Sequence, residues 1–356
     1  MEGRMQDLLI MHNFSIKEAM RQMSRVGERI LFVVDERNRL VGSLTDGDIR
    51  KWVLAEGSLS AETSEVCNKS PITLEQDYDI EAVKQMMLEN KIEGLPVVNR
   101  KRQVSEVLLW IEVFGKESIR PFEKIDLPVV IMAGGKGTRL DPFTRILPKP
   151  LIPIGEKTIL EIIISKFARH GVNDFFLSIN HKSRMIKAYF EEIKPPFTLK
   201  YIEELEPLGT AGSLRFLESE VEESVIVSNC DIIIESDYHD IVDFHHKKYN
   251  DITIVGSFRH FSIPYGVCHI TQGGLLTDIQ EKPEFDFLVN TGMYILRRHV
   301  LSMIPKNTFM NITDLIEKVK SNGGRIGVFP VDEKSWIDVG QWEEYHRATR
   351  LLQIKE

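Results

Sequence analysis

The 356-residue sequence is poor in cysteine, with only Cys67, Cys230 and Cys268, and these are far apart. Because the cysteines are odd in number and lack metal-ligand spacing, neither a disulfide framework nor a zinc site is expected. Each is expected to be a small buried apolar residue. The sequence also lacks an apolar run long enough to span a membrane, and no signal-like apolar segment follows Met1. We therefore expect a cytoplasmic protein without a membrane partner.

Positive charge is scarce as well. The chain has 45 lysines and arginines against 53 aspartates and glutamates, a formal net charge of −8. Without a large basic block it has no electrostatic footprint for DNA or RNA, so a nucleic-acid partner is not expected. The length exceeds what one hydrophobic core usually serves, which favours two domains.

An internal repeat occupies the first third of the chain. Val34 aligns with Val98 and Leu31 with Leu95, both at an offset of 64 residues. Apolar periodicity predicts the order helix, strand, strand, helix in each copy. The pattern resembles a tandem cystathionine-β-synthase (CBS) domain pair over residues 1–115, with repeats at about 1–60 and 61–115.

The first repeat contains Thr45-Asp46-Gly47-Asp48, which resembles the Thr-x-x-Asp pattern with which CBS modules bind nucleotides. The resemblance implies an adenine or guanine nucleotide at Thr45 and Asp48. At the same offset the second repeat has Leu109 and Glu112, so at most one good site is expected. Two alternatives stay open: the pair serves only packing or dimerisation, or Asp48 caps a helix that begins near Ile49.

The second domain is predicted at residues 127–356, after a charged linker at 116–126. From Pro128 onwards, strand-like and helix-like segments alternate, which predicts an α/β fold with a doubly wound, mostly parallel sheet. Ligands of such sheets bind beyond the carboxyl ends of the strands. Gly134, Asn180 and Asp231 fall at these ends.

The most informative segment is Ala-Gly-Gly-Lys-Gly-Thr-Arg-Leu at 133–140, directly after an apolar run. Its glycines expose backbone N–H groups to an anion, as a triphosphate site requires. The segment is not a P-loop, because Lys136 lies between the glycines. It is not a dinucleotide fingerprint either, because Leu140 stands where a third glycine or alanine is needed.

Together with Pro148-Lys149, this segment resembles the hallmark of the sugar-1-phosphate nucleotidylyltransferases. Further motifs of that family follow in the same order: Leu-Gly-Thr-Ala-Gly at 208–212, Asn-Cys-Asp at 229–231, Glu-Lys-Pro at 281–283, Asn-Thr-Gly at 290–292 and Trp-Ile-Asp-Val-Gly at 336–340. The resemblance implies that a sugar 1-phosphate attacks the α-phosphorus of a nucleoside triphosphate and that pyrophosphate leaves. An ionised phosphate needs no general base, so catalysis would come from positioning and charge neutralisation.

The resemblance also implies roles for charged residues. Asp231 and Asp338 would hold Mg²⁺, which prefers hard oxygen ligands. Arg139 would bind the departing β- and γ-phosphates, Lys149 the region of the α-phosphate, and Lys282 the phosphate of the sugar. The alternatives are turn-forming aspartates and solvated surface cations.

Two further sets of residues follow from the motifs. The predicted nucleotide-binding residues lie in the two glycine-rich segments and are Gly134, Gly135, Gly137, Thr138, Gly209, Thr210 and Gly212. The predicted sugar-binding residues are Asn180, Gly266, Glu281, Asn290 and Thr291. For Gly266, a simple tight turn is an equally good interpretation.

The loop at 203–212 is similar to that of mannose- and heptose-1-phosphate guanylyltransferases. The fusion to a CBS pair resembles the glucosamine-1-phosphate guanylyltransferases of legionaminic acid synthesis, so GTP and glucosamine 1-phosphate are the leading substrates. The alternatives are a mannose- or heptose-1-phosphate guanylyltransferase, a uridylyl- or thymidylyltransferase, and a non-catalytic nucleotide-sugar sensor. A homo-oligomer, as a dimer or tetramer, is expected.

Overall fold

A computed structural model describes residues 2–114 and 123–353. The chain folds as two compact units, Met1–Pro121 and Phe122–Glu356. Most of the predicted linker, residues 116–122, lies outside the described residues. Ile125, at its far end, is buried in the second unit, where its N–H donates to the carbonyl of His170 (2.9 Å).

The first unit contains six helices and five strands in its described part. The helices are α1 (Glu2–Asp7), α2 (Ile16–Val26), α3 (Asp46–Leu54), α4 (Thr63–Val66), α5 (Ile80–Asn90) and α6 (Trp110–Phe114). The strands are β1 (Leu9–Met11), β2 (Ile30–Val34), β3 (Leu40–Thr45), β4 (Gly94–Val98) and β5 (Val104–Leu109). The predicted order of helix, strand, strand and helix is present in both copies.

The repeat is visible in the backbone pairing. Strand β1 pairs in parallel with β2, placing Ile10 opposite Val33, and the equivalent pair 64 residues later is a single parallel bridge between Leu74 and Val97. The two copies meet where Arg39 pairs with its own counterpart, Gln103. A residue can pair with its equivalent only close to a local two-fold axis, so the repeats are related by a pseudo-two-fold rotation.

The second unit is larger and contains the main sheet. Its strands are β6 (Val129–Met132), β7 (Pro153–Ile154), β8 (Lys157–Thr158), β9 (Asp174–Ile179), β10 (Thr198–Glu203), β11 (Ser224–Asn229), β12 (Ile232–Ile234), β13 (Ile252–Ser262), β14 (Val267–Ile270), β15 (Leu276–Gln280), β16 (Glu284–Arg297), β17 (Ile326–Val331) and β18 (Trp336–Asp338). Its helices are α7 (Phe143–Ile146), α8 (Ile159–Ala168), α9 (Ser183–Ile193), α10 (Tyr238–Lys247), α11 (Arg298–Ser302), α12 (Ile312–Ser321) and α13 (Trp342–Gln353).

Seven strands form one sheet in the order β10-β9-β6-β11-β16-β13-β17. All neighbours are parallel except the two pairs that involve β16. The prediction of a mostly parallel α/β sheet is therefore confirmed. Strand β16 was not predicted. Its first residues, Glu-Phe-Asp-Phe at 284–287, alternate charged and aromatic side chains, which is a strand pattern that the prediction did not use.

Both faces of this sheet are buried. On β6, Val129 and Ile131 belong to one hydrophobic core, and Val130 belongs to the other. Alternate side chains of a strand point to opposite faces, so a strand covered on both sides is apolar throughout. The covered sheet leaves its strand ends as the place for polar chemistry. Within residues 2–114 and 123–353, every helix is too short or too polar to cross a membrane.

Candidate active site

The glycine-rich segment begins at the carboxyl end of β6. Gly137 has a φ of +65°, and a Cβ there would lie 2.9 Å from both Lys149 Cβ and Thr144 Cγ2. Glycine is thus required by the backbone conformation and by the close approach of the neighbouring segment. The turn continues into a short 3₁₀ helix, Thr138–Leu140, which leaves Arg139 exposed.

Lys149 lies under this turn and is only 7% exposed. Its ammonium forms an ion pair with the carboxylate of Asp231, which is 9% exposed and follows β11. Arg139 Nη2 lies 3.9 Å from the same carboxylate oxygen. The structure therefore brings together two of the predicted phosphate-binding cations and one predicted metal ligand.

Asp338 joins this group through β18. Strands β12 and β18 are antiparallel and pair Ile232 with Asp338, next to Asp231. A methyl group on Gly340 would lie 2.7 Å from Asp231 Oδ2, 2.8 Å from Asp338 Oδ1 and 3.0 Å from Lys149 Nζ. The two carboxylates and the ammonium thus converge on Gly340, which makes room for them by having no side chain.

This donor set fits a hard divalent cation. Two carboxylates supply oxygen ligands, and Mg²⁺ usually completes its shell with waters and substrate phosphates. No group of three or more His, Cys, Asp or Glu side chains is arranged to hold a metal within the described residues. A cation here would therefore depend on substrate oxygens. Cys230, beside Asp231, takes no part: burial raises the pKa of its thiol to about 12.

The three cysteines are free, and the expectation that all are buried is wrong for one of them. Cys67 and Cys230 are buried, whereas Cys268 is exposed. Cys268 lies on β14, which pairs with β15 in a separate two-stranded hairpin whose residues are mostly exposed.

A buried carboxylate, that of Glu204, lies next to Gly134 at the start of the glycine-rich segment. It is 9% exposed, and Oε1 is 3.5 Å from the position that a Cβ on Gly134 would take. Oε1 accepts from the hydroxyl of Ser178 (2.5 Å), and Oε2 accepts from the N–H of Leu208 (2.9 Å). The side chain of Asn180 donates to the backbone carbonyl of Glu204 (2.7 Å). Asn180, predicted to contact the sugar, thus lies beside Gly134 and Glu204.

Sequence reasoning did not select Glu204. The segment contains Glu203, Glu204 and Glu206, and no motif singles out one of them. Glu203 ends strand β10 exposed, whereas Glu204 is the first residue after the strand and is buried. One signal was available: side chains alternate between the two faces of a strand, so Glu204 lies on the same face as the buried Ile202.

The Leu-Gly-Thr-Ala-Gly loop packs against the segment before α12. A Cβ on Gly209 would lie 2.6 Å from the carbonyl oxygen of Met310, and one on Gly212 would lie 2.6 Å from that of Thr308. The Thr210 hydroxyl accepts from the N–H of Ile312 (2.8 Å). These contacts hold the loop against the segment before α12, and they give Gly209, Thr210 and Gly212 a definite packing role.

Apart from Asn180, the predicted sugar contacts lie on β16 and in the hairpin between β13 and β16. A Cβ on Gly266 would lie 3.0 Å from Glu281 Oε2, so these two residues are neighbours. Lys282 is exposed and has a φ of +45°, a left-handed conformation that is costly for a side chain other than glycine. Glu281 and Lys282 occupy the loop that joins β15 to β16.

The Asn-Thr-Gly motif lies at an irregularity where β16 contains extra residues opposite β13. The Asn290 side chain donates to Tyr294 Oη (2.8 Å) and accepts from the N–H of Gly292 (3.0 Å). Thr291 is 3% exposed, and its hydroxyl donates to the carbonyl of Val255 (2.8 Å). Asn290 is exposed, whereas Thr291 is buried and its hydroxyl forms a hydrogen bond within the sheet.

In the first unit, Thr45 and Asp48 are hydrogen-bonded to each other. Thr45 is the N-cap of α3, and its hydroxyl accepts from the N–H of Asp48 (3.1 Å). The Asp48 carboxylate accepts from the Thr45 N–H (3.0 Å) and hydroxyl (2.6 Å). The helix therefore begins at Asp46, three residues earlier than predicted, and both side chains form a capping box. In the second repeat only half of it remains, the Glu112 carboxylate accepting from the Leu109 N–H (2.9 Å).

Comparisons with known proteins agree with these two units. A model described as nucleotidyl transferase matches residues 128–354, and the CBS domain model matches residues 8–55 and 64–108. The chain belongs to the nucleotidyl transferase family. Its first unit contains tandem CBS domains, as the repeat predicted.

Curated relatives show moderate sequence identity to this chain. The mannose-1-phosphate guanyltransferase of Yarrowia lipolytica is 32% identical, over 62% of this chain and 63% of its own. A UTP–glucose-1-phosphate uridylyltransferase of Synechocystis is 27% identical, over 65% and 64%. The D-glycero-alpha-D-manno-heptose 1-phosphate guanylyltransferase of Campylobacter jejuni is 26% identical, over 62% and 97%. The chain spans less than two thirds of the length of the first two.

Among solved structures, HddC from Yersinia pseudotuberculosis complexed with GMP-PN aligns with a TM-score of 0.51 and 26% identity. The match covers 64% of this chain and 99% of that one. The part covered is close in extent to the second unit.

Proposed function

We propose that the protein transfers GMP from GTP to the 1-phosphate of a hexose or amino-hexose, giving a nucleoside diphosphate sugar and pyrophosphate. The observation that carries the proposal is the convergence of Lys149, Asp231 and Asp338 around Gly340, next to the exposed Arg139. Such a group offers positive charge for phosphates and hard oxygen ligands for a metal. The family and its sugar-1-phosphate relatives support this assignment.

In the proposed reaction, a phosphate oxygen of the sugar 1-phosphate attacks the α-phosphorus in line. The new P–O bond forms as the bond to the pyrophosphate oxygen breaks, and no proton has to be removed from an ionised nucleophile. Lys149 neutralises charge at the α-phosphate, and Arg139 holds the β- and γ-phosphates. Lys282 receives the phosphate of the sugar. Fixed cations that hold two anions in line lower the entropic and electrostatic barrier together.

Asp231 and Asp338 would hold Mg²⁺. When bound, the ion supplies Lewis-acid polarisation of phosphate oxygens. Asp231 shares one carboxylate oxygen with Lys149, so its ion pair also orients that ammonium. A buried cation with a fixed counterion keeps its position without substrate, which is the preorganisation that such catalysis needs.

Glu204 supports guanine as the base. Each carboxylate oxygen has two lone-pair sites, and Ser178 and Leu208 use one on each. Guanine presents two adjacent donors, N1–H and the 2-amino group, which match the remaining sites. Uracil and thymine present one N–H between two carbonyls, which a carboxylate would repel. The solved relative bound to GMP-PN is consistent with this assignment.

The Glu204→Gln variant tests the base. We expect kcat/KM for GTP to fall about 30-fold, because a hydrogen bond to a charged acceptor is worth about 2 kcal/mol. We expect the ratio of GTP to UTP turnover to fall with it. Measuring both triphosphates on the same preparation cancels any loss of folded protein. The control is Glu203→Gln, an exposed neighbour that pairs with Lys187. An unchanged GTP to UTP ratio in Glu204→Gln would remove Glu204 from base recognition.

Pyrophosphate release tests the reaction itself. The five common triphosphates, each with Mg²⁺, are paired in turn with glucosamine-, N-acetylglucosamine-, mannose-, heptose- and glucose-1-phosphate. We expect turnover with GTP and glucosamine 1-phosphate. Turnover with another sugar keeps the mechanism and changes the acceptor. Turnover with UTP or dTTP alone contradicts the assignment of the base. No turnover with any pair would favour the nucleotide-sugar sensor.

The proposal extends to regulation at the CBS pair, with a nucleotide bound near Thr45 and Asp48. The Asp48→Ala variant should lose any response of turnover to added AMP, ADP, ATP, GMP or GDP. That change also removes the Asp48 half of the capping box, in which its carboxylate accepts from the Thr45 N–H and hydroxyl. The matched control is Glu112→Ala, which removes the equivalent cap in the second repeat. An effector response that is equal in both variants and the parent would contradict this site.

A further inference from the structure

Lys182 is an unusual residue at the carboxyl end of the sheet. It follows β9 and precedes α9, and its φ is +55°, in the left-handed region. A side chain other than glycine is strained there, and such strain persists where surrounding contacts hold it. Lys182 is half-buried, so neighbouring residues restrict the conformation of its side chain.

The ammonium group of Lys182 makes two hydrogen bonds that hold the residue in this conformation. Lys182 Nζ donates to the carbonyl of Thr144 (2.8 Å) and to that of Arg145 (2.7 Å). Both carbonyls belong to α7, a helix of four residues. The last carbonyls of a helix have no partner within it, and a lysine can satisfy them. Lys182 therefore closes the end of α7 from a different part of the chain.

Helix α7 in turn supports the glycine turn. Thr144 is 5% exposed, and its methyl group lies 2.9 Å from where a Cβ on Gly137 would be. Lys149 follows α7 three residues later, and Arg139 precedes it by four. Both proposed triphosphate ligands thus lie on one segment, 134–149, whose middle is tied down by Lys182.

We propose that Lys182 is a positioning residue that holds α7 against the glycine turn and so places Arg139 and Lys149 for the triphosphate. The inference rests on the proposed function for its kinetic consequences. Two of the three ammonium donors of Lys182 are used by backbone carbonyls. Its main action is therefore on the loop, and the loop acts on the substrate.

The test compares Lys182→Met with the parent protein. Methionine retains length and apolar stem but cannot donate to the carbonyls. We expect KM for GTP to rise about tenfold, with KM for the sugar 1-phosphate unchanged, because only the triphosphate side of the site loses its support. We also expect faster amide hydrogen exchange in segment 141–149 of the substrate-free protein.

Two further variants separate the ammonium from the backbone. Lys182→Gly removes both the donor and the strain, so it should melt at a higher temperature than Lys182→Met yet show the same rise in KM. Lys194→Met is the matched control, because Lys194 ends the same helix with a φ of +45° and is exposed. It should leave both KM values unchanged.

Several outcomes would overturn the proposal. Unchanged exchange in 141–149 of Lys182→Met would show that Lys182 does not support the loop. A fall in kcat at unchanged KM for GTP would assign Lys182 to the transfer step. The exchange measurement needs no turnover, so it still decides the role of Lys182 if pyrophosphate release fails for every substrate pair.

Discussion

Replacing Asp231 with asparagine is expected to lower kcat/KM about 1000-fold in the pyrophosphate-release assay. The change removes the carboxylate that orients Lys149 and, in the proposed function, a ligand of Mg²⁺. Loss of a single preorganised group in other active sites costs on the order of 10²–10³ in rate. The residue volume is almost unchanged, so the effect is electrostatic rather than steric.

The same variant should be less stable, by about 3 kcal/mol, because Lys149 is left buried without its counterion. The double variant Asp231→Asn with Lys149→Met removes both charges, so it should recover most of that stability and remain inactive. Chemical unfolding of the three proteins checks the first expectation, and turnover checks the second. Turnover of Asp231→Asn within about tenfold of the parent would show that the pair is structural and not catalytic.

A methyl group on Gly340 is expected to reduce kcat/KM about 100-fold, although no charged residue is replaced. The added carbon would approach Asp231, Asp338 and Lys149 to within 2.7–3.0 Å, so all three must move apart. Misplacement of catalytic groups by about 1 Å is sufficient for an effect of this size. The Gly340→Ala variant therefore tests whether the convergence of these three side chains matters, independently of their chemistry.

The control for this change is Gly47→Ala in the first unit, whose methyl would meet only Thr45 Oγ1 at 3.6 Å. Turnover of GTP and the sugar 1-phosphate, with no effector nucleotide added, should be unchanged in that control. Circular dichroism and melting temperature of Gly340→Ala should remain close to those of the parent, because the strain falls on polar side chains at the edge of the core. Parent-like turnover in Gly340→Ala would contradict the proposed arrangement.

Much of the site could be placed from sequence because its residues follow strands. Gly134 comes after β6 and Asp231 after β11, and these two strands are adjacent and parallel. The carboxyl ends of such strands meet at one edge of the sheet, so apolar runs followed by polar residues predict the neighbourhood. The resemblance to a known family added Asp338, which no rule of periodicity connects to Asp231.

Other parts were beyond the sequence. Glu204 is one of three glutamates in a charged segment, and only packing after β10 makes it buried. The bond from the Thr291 hydroxyl to the Val255 carbonyl, at an irregularity in the sheet, also gave no signal in the sequence. Lys182 gave no signal, because its partners are backbone carbonyls 37 and 38 residues away in sequence.

The α/β class, the repeated first unit with its offset of 64 residues, and the family could all be predicted from the sequence, because they depend on local periodicity and on ordered motifs. The folded structure was needed to show which carboxylate pairs with Lys149, which glutamate faces Gly134, and that the charges converge at Gly340. Those features are set by long-range packing, in which the position of a side chain depends on strands that are distant in the chain. Burial then strengthens the interactions between these charges, because less water surrounds and screens them.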